Sequence, residues 1–230
     1  GNGFVESIAT MSAPDGAREE LWLIVKRTIN GATVRYVEYL ERPYDAPDDD
    51  GSGGDLQSSC FYMDAGLTYS GAATTHISNL SHLEGQTVQV LADGAVQPTR
   101  VVSGGAIDLA RAASVVQVGL PCPARIVTMR PEAGGQQGTA QGKTKRINGL
   151  TIRFNDTLGG KCGLYGGKID DISKRSPSTP MGTPEPIFSG DRDVDFPGDY
   201  DKDSRIEVRQ DDPLPMTLVA LMPLMRTYDT

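Results

Sequence analysis

Leu21-Trp22-Leu23-Ile24-Val25-Lys26-Arg27 and Thr33-Val34-Arg35-Tyr36-Val37-Glu38-Tyr39-Leu40 flank Thr28-Ile29-Asn30-Gly31-Ala32. The first run is β-branched and aromatic, and the second alternates in polarity. Asn-Gly tolerates positive φ at both central positions of a type I′ turn, whose twist matches that of two paired strands. The stretch therefore predicts an antiparallel hairpin. It sets the expectation for the whole chain, which is mainly β.

Further along, residues 43–58 hold Pro43, Pro47, Asp48, Asp49, Asp50, Gly51, Gly53 and Gly54. They bury too little apolar surface to offset their ordering entropy and read as an exposed acidic loop, with a metal site as the alternative. Strand character returns at 60–64 and 67–69. Between 76 and 128 the texture changes. Residues 87–91 run into Asp93-Gly94, a second hairpin signal, and are followed by runs at 95–97, 100–102, 106–109 and 114–120. Five or so short strands at spacings of about 8–12 residues predict a small barrel or sandwich. Residues 125–129 read as a strand. A short helix is expected near 136–147, weakened by Gly138 and Gly142. Residues 149–155 alternate as a strand, which Gly159-Gly160 turns towards 161–165. Pro177, Pro180, Pro184 and Pro186 mark an irregular or polyproline segment at 176–186. Residues 189–203 read as an acidic loop. The runs 205–210 and 217–222 read as a closing strand pair.

The 230 residues include 27 Gly and 15 Pro, against roughly 12% for the two together in average usage, so turns abound. Hydrophobic residues make up 38% and charged residues 23%, which permits a packed core. Lys and Arg number 22 against 30 Asp and Glu, a net charge of −8. An acidic surface repels phosphates and argues against tight nucleic-acid binding, though not against a wall that DNA slides past. No apolar run approaches the roughly 18 residues of a membrane helix. No basic segment precedes an apolar one as in a signal peptide. Gly1 in place of an initiator Met suggests a fragment or a processed chain. The length fits one to two domains.

Cys60, Cys122 and Cys162 are odd in number and widely spaced. They read as free, mostly buried thiols of a reducing compartment rather than a disulfide framework. Two His and three Cys leave little material for a zinc or Cys/His centre. His76 and His82 have no Gly-x-Ser-x-Gly elbow or His-Glu-x-x-His for company and read as turn or surface residues, with Glu84 adding little. Asp199, Asp201 and Asp203 stand at the alternate positions that open a calcium loop. However, Ser204 occupies the sixth position instead of Gly, and Gln210 the twelfth instead of Glu. Asp191, Asp193 and Asp195 repeat the alternation. Solvated acidic loops are the simpler reading. Gly104-Gly105, Gly159-Gly160 and Gly166-Gly167 lack the context of a phosphate cradle and read as turns. Lys143 to Arg146, with Arg153 and Lys161, form a small basic stretch expected on a solvated face. No catalytic, cofactor or metal residue is assigned, and no cofactor is expected.

Several phrases act together. They are Trp22-Leu23-Ile24-Val25-Lys26-Arg27 with Asn30-Gly31 and Arg35-Tyr36-Val37-Glu38; His82-Leu83-Glu84-Gly85 with Val90-Leu91-Ala92-Asp93-Gly94; Val118-Gly119-Leu120-Pro121; and Arg209-Gln210-Asp211-Asp212-Pro213-Leu214-Pro215. From about residue 18 to 222 the chain resembles the C-terminal part of tail nozzle or hub (stabilisation) proteins of short-tailed bacteriophages. Members of that family often carry a label borrowed from the small FCCH barrel of ubiquitin-activating enzymes, here over about 76–124. No ubiquitin chemistry is implied. The resemblance implies a non-catalytic virion protein forming a ring, typically hexameric, below the portal and adaptor. DNA would pass through its centre without specific binding. Its partners would be sister subunits and other phage tail proteins, with no membrane anchor.

The expected architecture is an antiparallel sheet platform, residues 1–75 and 125–230, with an inserted small β-barrel-like module at 76–124. The alternative reading is a β-type binding module for a carbohydrate or host-surface ligand, with Tyr62, Tyr69, Tyr165 and Tyr200 as stacking platforms. A hydrolase with an unfamiliar site is a third; perturbed carboxylates sharing one pocket would be its signature.

Overall fold

A computed structural model describes residues 3–14, 16, 18–45, 57–132, 134–135, 138–139, 141–172 and 183–228. The protein is mainly β, and all its sheets are antiparallel. Among the described residues the only helical pieces are single 3-10 turns at Gln57–Ser59 and Ser81–Leu83. The chain divides into two compact units, one of Gly1–Cys122 with Gly182–Pro184, the other of Pro123–Met181 with Glu185–Thr230.

In the first unit, β1 (Phe4–Ser12), β2 (Glu19–Ile29) and β3 (Ala32–Tyr39) form a sheet in the order β1-β2-β3. The β2–β3 hairpin closes at Ile29 opposite Ala32, with φ of +47° at Asn30 and +76° at Gly31. Those are the two positive values that the Asn-Gly pair predicts. A second sheet holds β4 (Met63–Ile77), β5 (Thr87–Ala92), β6 (Ala95–Val101) and β7 (Ile107–Pro121) in the order β4-β7-β5-β6. Its β5–β6 turn repeats the geometry at Asp93 and Gly94.

Alternation places Val25, Arg27 and Ile29 on one face of β2. Ile29, with Val34 and Tyr36 of β3, packs into a core built from Leu80, Leu83, Val88, Val90, Val116 and Val118. Arg27 is the anomaly on that face, only 2% exposed. Its Nε and Nη2 donate to the two Glu38 oxygens at 2.7 Å each, and its Nη1 and Nη2 donate to Asp64 at 2.9 and 2.6 Å. One guanidinium thus ties β2 to β3 and β4. Burial alone would weaken its hold on the proton, but the hydrogen bonds from Glu38 and Asp64 win, and its pKa is raised.

The second unit holds β8 (Ala124–Val127), β9 (Gly134–Gly135), β10 (Gly138–Thr139), β11 (Thr144–Thr157), β12 (Lys161–Leu164), β13 (Ile169–Asp171), β14 (Phe188–Val194), β15 (Ile206–Gln210) and β16 (Thr217–Tyr228). They form sheets in the orders β14-β11-β16 and β13-β12-β15-β8, with β9 and β10 as a separate pair. Ile147, Leu150, Ile152 and Phe154 of β11 share one core with Cys162 of β12 and Ile206 and Val208 of β15.

Several expectations need correction. The domain boundary expected at 75/76 falls inside β4, which pairs along its length with β7 from Met63 opposite Pro121 to Ile77 opposite Ile107. That ladder joins residues 1–75 to most of the module expected at 76–124 in one unit, residues 123 and 124 fall in the other, and the second half of the presumed platform lies in that other unit. The module supplies β5, β6 and β7 of an open four-stranded sheet completed by β4, not a closed barrel, and 107–109 and 114–120 are two parts of the single long strand β7. No helix forms at 144–147, which opens β11, while residues 136, 137 and 140 lie outside the described residues. Residues 189–194, expected in an acidic loop, belong to β14, where Arg153 of β11 pairs with Asp191 and the Thr151 hydroxyl donates to Asp193. The presumed closing pair is no pair: β15 joins β12 and β8, and β16 joins β11. The two-proline linker at 211–215 carries the chain from one sheet to the other. Residues 46–56 of the expected acidic loop and 176–182 of the proline-rich segment lie outside the described residues.

Candidate functional site

The sheet β1-β2-β3 leaves several large apolar side chains exposed. Directly opposed residues share a face. Trp22 stands opposite Ala9 and Tyr39, Ile24 opposite Ser7 and Val37, and Lys26 opposite Phe4 and Arg35. Trp22, Ile24, Val37, Tyr39, Phe4 and Met11 (opposite Glu20) therefore make an apolar band on the face turned away from Val25 and Ile29. Phe4 is 68% exposed and Val37 70%. The Trp22 and Tyr39 rings lie 5.5 Å apart, which fixes the middle of the band. Arg35 is held by Glu6, its Nε donating at 2.7 Å and its Nη2 at 3.2 Å. That pair pulls the Glu6 carboxyl below its ordinary range.

Among the described residues β1 is also an edge strand, and all nine of its residues are exposed. Natural edges are usually protected by Lys, Pro, bulges or brevity. This one has a bulge near Glu6, its only charge, and no proline. An open nine-residue edge beside an apolar band is a surface suited to another protein chain.

The titratable groups singled out in the sequence serve turns and strand pairs. His76 Nδ1 lies 2.9 Å from Asp108 Oδ1 across β4 and β7, on an exposed stretch. His82 donates from Nε2 to the Ala65 carbonyl at 3.0 Å, and its own carbonyl accepts from the Tyr36 hydroxyl at 2.8 Å. Glu84 does more than expected. Its two oxygens accept from the Gly104 and Gly105 amides at 3.0 and 2.8 Å and clamp that turn. Cys60 and Cys162 are buried and Cys122 is exposed, and none of the three is in a disulfide. Burial first, and the Asp170 charge second, push the Cys162 thiol up to about 11.

The alternating aspartates have partners of several kinds. Asp199 accepts from the Tyr200 amide at 2.7 Å and Asp201 from the Ser204 amide at 2.9 Å. Asp203 accepts from Arg205 at 2.8 and 3.0 Å and also pairs with Arg130. Asp191 accepts from Arg153 at 2.6 and 2.8 Å, and Asp193 from Thr151. Among the described residues no three His, Cys, Asp or Glu are grouped to hold a metal ion.

The basic stretch is not wholly a solvated face. Lys145 is buried on β11 with Nζ 3.5 Å from Glu132. Arg146 lies over the Tyr200 ring at 5.3 Å. The four tyrosines do not form one platform. Tyr69 packs partly into the core and donates to Ala72, and Tyr62 accepts from the Tyr44 amide. Tyr165 lies under Arg205 and Arg125 at 4.4 and 5.4 Å.

Sequence reading missed Glu207. It sits on the side of β15 away from Ile206 and Val208, yet it is fully buried beneath two arginines. Arg125 donates to it from Nε at 2.7 Å and Nη2 at 3.0 Å, and Arg209 donates as well. The Arg125 bonds, helped by Arg209 and opposed by burial, lower the Glu207 pKa. A carboxylate whose folded pKa lies below its unfolded one stabilises fully above the unfolded value, roughly pH 4.3. That contribution is lost as pH falls through the folded value. Glu207→Gln is therefore expected to melt lower than the parent at pH 7, with the gap narrowing towards pH 3. A gap constant across that range, in melting curves followed by circular dichroism, refutes the assignment.

No protein-family model matches this chain, and no curated protein matches it.

Proposed function

We propose that this chain is a structural subunit of a virion, belonging to the tail nozzle or hub ring of a short-tailed bacteriophage, and that it works by packing against sister subunits and neighbouring tail proteins. One observation carries the reading: the open β1 edge flanked by the apolar band of Phe4, Met11, Trp22, Ile24, Val37 and Tyr39. Monomeric proteins seldom leave such an edge and such a band uncovered together. The nozzle-like phrases across residues 18–222 give the assembly its identity. The net charge of −8 suits a conduit that DNA must leave without sticking.

Two experiments test it. Immunogold labelling of purified particles is expected to place the chain at the tail; its absence from particles ends the proposal. In sedimentation velocity the chain is expected to associate as its concentration rises. Ile24→Lys with Val37→Glu is expected to weaken that association at least tenfold. Both side chains face outward and the two new charges are opposite in sign across the strand pair, so the unfolding free energy is expected to stay within about 1 kcal/mol of the parent.

A further inference from the structure

Near its start β11 is flanked by backbone on both sides. On one side Lys145 bridges to Asp201, its amide donating at 2.8 Å and its carbonyl accepting at 2.9 Å, which brings Tyr200 alongside Arg146. On the other side Arg146 lies directly opposite Arg226 of β16, and Thr144 lies opposite Tyr228. Lys145 is buried, so Thr144 and Arg146 point to the outer face, and their partners Tyr228 and Arg226 share it. Arg146 is half-buried, while Tyr200, Arg226 and Tyr228 are exposed. The Tyr200 and Tyr228 rings meet edge-on with centroids 5.1 Å apart, and the Arg146 guanidinium lies 5.3 Å from the Tyr200 centroid.

The arginine pair is unexplained by the fold. Directly opposed residues have Cβ atoms about 4.5–5.5 Å apart, and like charges in that position are destabilising. Elsewhere the chain meets arginines with carboxylates: Arg27 holds Glu38 and Asp64, Arg125 holds Glu207, and Arg153 holds Asp191. Among the described residues Arg146 and Arg226 form no ion pair. Carboxylates are not scarce in a chain of net charge −8. Asp199 acts on the Tyr200 hydroxyl, but its side chain accepts from the Tyr200 amide and not from either arginine. Two cations thus stand side by side with no counter-charge built in.

The donors around them indicate what would supply it. A guanidinium presents N–H groups in a fork that matches phosphate oxygens. Side-chain hydrogen bonding from Tyr228, and then from Arg146, holds the Tyr200 hydroxyl below the ordinary tyrosine range, against burial. That hydroxyl is therefore tied to Arg146 and keeps a proton to donate. One dianion balances two positive charges, whereas a carboxylate or a phosphodiester balances one. We propose that Arg146, Arg226 and Tyr200 form a site for a phosphate dianion, either inorganic phosphate or the terminal group of a phosphomonoester. The site belongs to the second unit and does not rest on the tail-assembly reading.

The test is a backbone-amide NMR titration of the whole chain at pH 8 and constant ionic strength, with inorganic phosphate, methyl phosphate, dimethyl phosphate and acetate. Phosphate is expected to give saturable shifts at the amides of Arg146, Tyr200, Arg226 and Tyr228. Dimethyl phosphate and acetate are expected to bind at least tenfold more weakly. Methyl phosphate binding as phosphate does assigns the site to a phosphomonoester; binding of phosphate alone assigns it to the free ion. Arg226→Ala is expected to weaken the dianion at least tenfold and to keep the parent melting curve, because Arg226 is exposed and holds no carboxylate. Tyr200→Phe keeps the ring over Arg146 and is expected to weaken binding at least threefold. No saturable shift with either dianion, equal affinity for acetate, or binding that ignores Arg226→Ala overturns the proposal. Absence of the chain from phage particles leaves this result standing.

Discussion

Arg27→Ala is expected to destabilise the N-terminal unit by about 3–5 kcal/mol, the cost of breaking a buried ion pair by removing one partner. The reason lies in what remains. Glu38 and Asp64 both accept two hydrogen bonds from this guanidinium, and both are mostly covered. Without it, two carboxylates face each other across a site shaped for a cation. Against a typical total of about 5–15 kcal/mol, such a loss unfolds a substantial share of molecules under mild denaturant. Trp22, the only tryptophan, lies on the same strand and reports the transition by fluorescence during urea titration. Arg27→Met with Glu38→Gln and Asp64→Asn is expected to recover part of the loss, because neutral amides no longer repel. A single-variant loss below about 1 kcal/mol would place Arg27 among ordinary surface positions and remove the clamp from the account.

This clamp was within reach of the sequence. Alternation along Val25-Lys26-Arg27-Thr28-Ile29 puts Arg27 between two core residues, and a charge at such a position needs a partner. The partner itself was not legible, since Asp64 lies 37 positions away and meets Arg27 only once the second sheet is built. The same division runs through the fold. Asn30-Gly31 and Asp93-Gly94 could be read locally because turn chemistry is local. β1 has no comparable signal: its polarity scarcely alternates, and all its residues are exposed, so no core face imprints a period. Strand partners were the least legible feature. Residues 205–210 and 217–222 look like a hairpin by spacing, but each pairs within a different sheet and their apolar side chains meet only in the shared core. Glu207 follows the same logic. It breaks the polarity expected of its environment and is explained by Arg125, 82 positions away in sequence.

Phe154→Ala is expected to cost the second unit about 3–5 kcal/mol, the range for truncating a buried aromatic. Phe154 lies on β11, the central strand of its sheet, opposite Gly190 on one side and Leu218 on the other. Gly190 has φ of +130°, a conformation that side chains rarely adopt. Gly190 itself brings no side chain to fill the space left by the ring, and Phe188 of β14 already packs against this core. The register of β11 against β16 also shifts between Arg153 and Phe154, so the ring packs where the ladder is already interrupted. The unit's core is small, and collapse around the hole would have to move Ile152 or Val208, both fully buried. Phe154→Leu, which keeps much of the volume, is expected to cost less than half as much. Urea midpoints followed by far-UV circular dichroism separate the outcomes. Equal losses for Ala and Leu would show that the site tolerates no change of shape at all. A negligible loss for both would show that β11 is held by its two ladders and not by the packing of this ring.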